Sequence, residues 1–152
     1  MVDLARLPDV ERIHLEKIPC PELEPTPLVS GPALSERRVA LVTTAGLARR
    51  DDAPFGAEGE YRILPTGTPA GDLVMSHSSV NFDRTGFQQD INVVYPLDRL
   101  HELAEEGVIG SVADYHYSFM GATPTDKIAQ AAEGIIAALK GDHVDAVCLA
   151  PV

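Results

Sequence analysis

The densest run of chemically capable side chains is "SHSSVNFDRTGFQQDINVVYPLDRL", which gathers His77, Ser78, Ser79, Asp83 and Asp90. It follows "GDLVM", read as a strand over Asp72 to Ser76, so these groups are expected at the functional edge of a sheet. A histidine near carboxylates can serve as a tuned general acid or base, and His77 with Asp83 and Asp90 offers that combination. The same residue types also make turns, caps and surface imidazoles. His116 lies in "DYHYSFMG" on an alternating pattern that puts His116 and Ser118 on one face and Tyr115, Tyr117 and Phe119 on the other. It is either a site residue or a histidine satisfied inside the sheet. Ser118 lacks the Gly-x-Ser-x-Gly elbow of a hydrolase nucleophile. "TTAGL" offers the hydroxyls of Thr43 and Thr44 and the backbone around Gly46 as a substrate cradle, without the spacing of a nucleotide-binding loop. Cys148, inside an apolar run, reads as a packed and inert thiol. With Cys20 it makes neither a disulfide framework nor a zinc site, and no His-x-x-x-His pattern supplies another, so no metal is expected.

The elements that must position these groups follow from spacing. "RRVALVTTAGL" predicts a buried strand through Val39, Leu41 and Val42 that breaks at Gly46. A brief strand is expected at Tyr61 to Leu64 within a loop-rich stretch. Leu97, Leu100 and Leu103 predict a helix with Pro96 at its first position and Gly107 at its end. "SVADYHYSFMG" reads as a strand. "TPTDKIAQAAEGIIAALKG" is a helix with Thr123 as cap, Pro124 at the first position and a buried stripe of Ile128, Ala132, Ile135 and Leu139. "VDAVCLAPV" is a last buried strand near 144 to 150. This alternation predicts an α/β fold: a three-layer, mostly parallel sheet of flavodoxin or Rossmann type, incomplete at its C-terminal side. It occupies 38–152. Residues 1–37 form a proline-rich arm carrying Pro8, Pro19, Pro21, Pro25, Pro27 and Pro32, with a short helix around Asp9 to Lys17.

The chain has 152 residues, 45% hydrophobic and 23% charged, which fits one soluble domain. A net charge of −11 argues against nucleic acid as a partner, since phosphate binding needs a basic face. No apolar stretch reaches the roughly 20 residues of a membrane span, and the N-terminus has no signal-peptide core, so a cytoplasmic protein without membrane contact is expected. From the residues alone, two readings stay open. One is a non-catalytic α/β module that acts through the arm and the acidic surface. The other is a racemase or lyase using Cys148 and a histidine.

Three ordered blocks carry a resemblance: "RVALVTTAGL", "DINVVYPLDRLHELAEEGVIGSVADYHYSFMG" and "VDAVCLAPV". Together they resemble the selenoprotein B family of glycine, sarcosine, betaine and D-proline reductases, in wording nearest the D-proline branch. In that family the strand matching "VDAVCLAPV" leads into a catalytic selenocysteine, which is encoded by UGA. The resemblance implies a selenocysteine directly after Val152 and a longer subunit, of which this chain would be the inactive N-terminal part. It implies an oxidoreductase that reductively cleaves the α C–N bond of D-proline or a glycine-type amine. A selenolate attacks, a dithiol is the reductant, and a partner subunit's pyruvoyl group holds the substrate amine; this chain itself would carry no cofactor. His77, Asp90 and His116 would then lie near the centre as proton donors or positioning groups, and an oligomer is expected.

Overall fold

The computed structural model describes residues 4–18, 29–56, 59–79, 84–121 and 123–152. Cys20, Asp83, Pro19, Pro21, Pro25 and Pro27 lie outside them. By their internal contacts the residues divide into two units, Met1–Ser30 and Gly31–Val152.

In the first unit, Asp9–Glu16 forms helix α1, close to the helix expected there. Arg12 bonds Asp9 at 3.0 Å and Glu16 at 3.1 Å on adjacent turns. None of the described residues of this unit is buried. Such exposed pairs contribute only a few tenths of a kcal/mol, roughly.

The second unit is a mixed α/β fold built on a mostly parallel sheet. Its elements are β1 (Arg38–Thr43), β2 (Leu47–Arg49), β3 (Tyr61–Pro65), β4 (Leu73–Met75), α2 (Thr85–Gln89), α3 (Leu97–Glu105), β5 (Ser111–Val112), β6 (Tyr115–Phe119), α4 (Thr125–Gly141) and β7 (Ala146–Ala150). Strand β1 lies in the middle. It pairs in parallel with β5 at its start, with β6 at its end, and along its other edge with β7, Leu41 facing Cys148. Beyond β6 runs β3, antiparallel. Strands β2 and β4 form a separate antiparallel pair.

Alternation along β1 divides the core. Val39 and Leu41 join Ala45, Leu47, Leu64, Leu73, Tyr95, Leu100 and Ile109 in one buried cluster, with Ala146 and Cys148 packed against it. Val42 faces the second cluster, where Tyr117, Phe119 and Ile135 are buried with Ile128, Ala131, Ala138 and Leu139 of α4. Helix α4 therefore lays a stripe over β6 through Ile128, Ala131, Ile135, Ala138 and Leu139, with Ala131 and Ala138 in the cluster instead of the expected Ala132, as an amphipathic helix does. Full burial of a large apolar side chain such as Ile135 contributes about 1.5–3 kcal/mol of apolar transfer, and the partly buried members contribute less.

Two terminus assignments need correcting. Pro96 and Pro124 sit at the N-cap and not at the first helical position, and no side chain caps either helix. Thr123 thus does not cap α4: Pro124 holds an extended backbone there, with ψ 142. Gly107 does end α3, in the left-handed region with φ +73.

The expected single strand over "SVADYHYSF" is broken in two. Val39 of β1 pairs with Val112 and Val42 with Tyr117, so the partner carries two extra residues in between. The base of the sheet is clamped by Arg38. Its Nε donates to the Asp142 carbonyl at 2.8 Å and its Nη1 to the Val112 carbonyl at 2.9 Å. Its Nη2 bonds the Asp142 carboxylate at 2.6 Å. One side chain thus ties β1 to β5 and to the end of α4.

Candidate functional site

The carboxyl ends of β1, β6 and β7 lie together because the three strands are parallel neighbours. After β1 the chain turns through Thr44, Ala45 and Gly46. The Thr43 hydroxyl, fully buried, accepts the Ala45 N–H at 3.2 Å and closes that turn. Gly46 adopts φ +66, donates its N–H to the Phe119 carbonyl at 2.7 Å, and accepts the Ser76 N–H at 2.8 Å. A Cβ there would stand 3.1 Å from the His77 nitrogen, so the glycine meets both a conformational and a spatial demand. This contact brings the loop after β4 onto the end of β1.

Thr44 holds the last residue of β7's extension. Its Oγ1 accepts the Val152 N–H at 2.8 Å and lies 3.2 Å from the Val152 carbonyl. Its own N–H donates to the Ala150 carbonyl at 3.2 Å. Gly121, just past β6, is the hub. A Cβ on it would lie 2.8 Å from the Thr44 carbonyl oxygen, 2.9 Å from that of Val152 and 3.0 Å from His77 Nε2. Only a glycine lets these three groups converge on one point.

His77 is 8% exposed. Its Nδ1 accepts the Ser79 N–H at 3.1 Å. This bond assigns the neutral ring's proton to Nε2, the nitrogen that faces Gly121. Burial, and then the charge of Arg84, hold the His77 pKa below that of a free imidazole. Arg84 occupies the N-cap position of α2 without capping it, and its Nη2 donates to the carbonyls of His77 at 2.5 Å and Ser79 at 3.3 Å. Ser78 rests its N–H on the Met120 sulfur at 3.2 Å.

His116 is placed elsewhere, fully buried within the sheet. Its Nδ1 accepts the Leu41 N–H at 3.0 Å and its Nε2 lies 3.0 Å from Thr66 Oγ1. Since Thr66 donates its own proton to the Ala113 carbonyl at 2.5 Å, it accepts from His116 Nε2–H. The imidazole supplies the acceptor that Leu41 loses where the β5–β6 break interrupts the ladder. Burial pushes its pKa down to about 4.

Asp90 is exposed and caps the short 3-10 turn Ile91–Val93, accepting the Asn92 N–H at 2.9 Å. That bond lowers its pKa. Its described contacts are with Asn92 and not with His77. Ser118 is buried and accepts the Leu47 N–H at 2.7 Å. Cys148 is a half-buried free thiol on the core side of β7.

The structure thus gathers His77, Thr43, Thr44, Gly46 and Val152 at one edge and sets His116 and Asp90 apart from that cluster of contacts. Sequence reasoning passed over Arg84 and Gly121. Gly121 closes the "HYSFMG" block and could have been found as a glycine at a strand's carboxyl end. Arg84 had no such signal, being one charge among many in a polar loop. Among the described residues no group of three or more His, Cys, Asp or Glu could hold a metal ion. Among them, too, no helix is long and apolar enough to cross a membrane.

The sequence model described as Glycine/sarcosine/betaine reductase selenoprotein B (GRDB) matches residues 17–152. The D-proline reductase subunit gamma of Acetoanaerobium sticklandii is 34% identical over 120 residues, covering 76% of this chain and 49% of that protein. The glycine reductase complex component B subunit gamma of Carboxydothermus hydrogenoformans is 30% identical, covering 88% of this chain and 32% of its own length. The betaine reductase complex component B subunit beta of Peptoclostridium acidaminophilum is 32% identical, covering 76% and 28%. The chain therefore spans from about half to under a third of these relatives. No solved structure matches it significantly. A match that runs through every strand and helix of the sheet domain settles the kinship: the chain belongs to the glycine, sarcosine and betaine reductase selenoprotein B family.

Proposed function

We propose that this chain forms the sheet edge of a selenocysteine-dependent reductase subunit that cleaves the α C–N bond of D-proline or a glycine-type amine, with a dithiol as reductant. The observation that carries the reading is the convergence on Gly121. The backbone of Val152, held by Thr44, and Nε2 of His77 meet there at the carboxyl edge of a parallel sheet, where α/β folds bind ligands. We place the sheet in the three-layer flavodoxin or Rossmann-like class on the same grounds, and the protein in the cytoplasm.

In this reading a selenocysteine follows Val152. A selenol ionises at neutral pH with less help than a thiol requires, and supplies the nucleophile. The remaining work falls to this chain's own groups. Thr44 fixes the backbone that carries the reacting residue. His77, kept neutral by burial and Arg84, presents an Nε2–H that donates to negative charge at the edge, as a hydrogen-bond donor and not as an imidazolium acid. Thr43 and Gly46 shape the turn beneath it. His116 and Asp90 act as positioning groups, the first by holding β1 to β6 and the second by shaping the loop toward α3. A partner subunit would supply the pyruvoyl group for the amine; the relatives' names as subunits of reductases and their complexes support a partner subunit.

The relatives' names point to D-proline, glycine, betaine and sarcosine. Their nitrogens range from primary amine to quaternary ammonium, while all four keep a carboxylate on the α-carbon. The test reads the gene: an in-frame UGA after the Val152 codon, followed by an RNA hairpin and an open frame, is expected. A UAA or UAG at that codon overturns the reading. A second arm assays the complete complex with D-proline and a dithiol, where His77→Leu is expected to lose about 100-fold in kcat, the scale of a lost transition-state donor.

A further inference from the structure

We propose that Arg84 is the anchor for the substrate's carboxylate, a specificity-determining residue beside His77; this rests on the reductase reading above. Three observations lead there. Arg84 reaches the edge through a single nitrogen, Nη2, which the carbonyls of His77 and Ser79 grip. The guanidinium is thereby oriented in advance by Nη2, and its Nε and Nη1 hydrogens are the donors left for an anion.

Its charge is also uncompensated locally. Arg12, Arg38, Arg62 and Arg99 each pair with a carboxylate, whereas Arg84, like Arg37 and Arg50, is held by backbone carbonyls. Among the described residues no carboxylate pairs with Arg84, in a chain that carries a net −11. Both groups it touches are neutral carbonyls. A half-buried cation beside a buried imidazole, with no carboxylate partner among the described residues, is arranged to receive an anion.

The substrates complete the argument. The candidate amines differ at nitrogen and share the carboxylate, so a common binding group must be cationic and close to the reacting edge. Arg84 meets both conditions. Fixing the carboxylate there would hold the α-carbon against the Val152 end of β7 and leave the variable nitrogen to the partner subunit.

The test uses NMR of the histidine-labelled 152-residue chain, titrated with D-proline and, separately, with pyrrolidine, which lacks the carboxylate. D-proline neutralises the Arg84 charge and is expected to raise the His77 pKa, and pyrrolidine leaves it unchanged. In Arg84→Gln the His77 pKa is raised without ligand and no longer responds to D-proline. An equal response to both ligands, or an unaltered response in the variant, overturns the proposal. In the complete reductase, Arg84→Gln is expected to raise KM for D-proline roughly 10- to 100-fold, the scale of a lost charged hydrogen-bond pair, with kcat far less affected. A fall in kcat with KM unchanged marks a purely structural role for Arg84 and also overturns the anchor. A wild-type complex that reduces none of the four amino acids overturns the reductase reading, while the NMR response still decides the anion site.

Discussion

Two histidines of this chain occupy opposite kinds of surroundings. His116 is enclosed in the sheet with one ring nitrogen serving Leu41 and the other Thr66. His77 is also buried, yet its Nδ1 is fixed by its own loop and its Nε2 points to the place where three strand ends meet. Both are neutral by desolvation. The first spends both nitrogens on the fold, and the second keeps one directed at the edge. Burial alone therefore does not separate a framework imidazole from the one proposed to act at the edge. What separates them is where the second nitrogen points.

That contrast breaks first at His116. His116→Leu leaves the buried Leu41 N–H without an acceptor at the interrupted ladder, and the expected cost is about 3 kcal/mol of stability. Urea denaturation followed by circular dichroism measures it. The pH dependence has a definite sign. With a folded pKa of about 4 against 6.5 in the unfolded chain, the unfolded state binds the extra proton between those values. Stability from this group is complete above pH 6.5 and is lost progressively toward pH 4, by an amount on the order of 3 kcal/mol. Asp142, Asp90 and Glu60, whose pKa values are lowered, begin to lose their contributions near the acid end of this window and continue below it. His116→Leu removes the upper segment of that slope. A variant as stable as wild type, with the slope intact, would return His116 to the list of site residues.

The comparison sharpens at Gly121. Gly121→Ala puts a methyl group within 3.0 Å of His77 Nε2 and nearer still to the carbonyls of Thr44 and Val152. Two of the three obstacles are backbone, so the strand ends must part. The expected loss is about 1–3 kcal/mol, as for overpacking elsewhere. The reductase activity of the complete complex falls far more than stability does, because the edge is disturbed while the core clusters are not touched. Equal activity in Gly121→Ala would separate this convergence from the chemistry.

How much of this was readable from the amino-acid order follows from the range of each interaction. The apolar spacing of Ile128, Ile135 and Leu139 and the run of Val39, Leu41 and Val42 are local patterns, and the helix and central strand appear where they were expected. The alternation that sets His116 and Ser118 opposite Tyr117 and Phe119 is local too, and it holds. The break between β5 and β6 was hidden, since it is repaired by a side-chain bond from His116 to a strand 75 positions away. Strand β2 was missed for a similar reason: three residues pair only with β4 across a long loop. At the site, Thr44 and Gly46 were visible as a polar turn after a strand. The Thr44–Val152 clasp, separated by 108 positions, and the convergence on Gly121 exist only in three dimensions.

The smallest expected effect concerns Asp90, and it tests whether the edge ends where the contacts end. Asp90 accepts the Asn92 N–H and the Asn92 side-chain amide, each at 2.9 Å, and Asn92 in turn bonds Asp98 at the start of α3. Its carboxylate is exposed and its pKa lowered, so it is ionised at neutral pH and has no proton to deliver. As a cap, Asp90→Ala should cost about 0.5–1 kcal/mol, read as a small shift in the urea midpoint. A positioning role through the loop adds only a modest rise in KM. A general acid or base at this position would instead cost on the order of 100-fold in kcat. An Asp90→Ala complex with that loss and an unshifted midpoint would extend the reacting centre from His77 across to α3, and would join the two regions that the contacts hold apart.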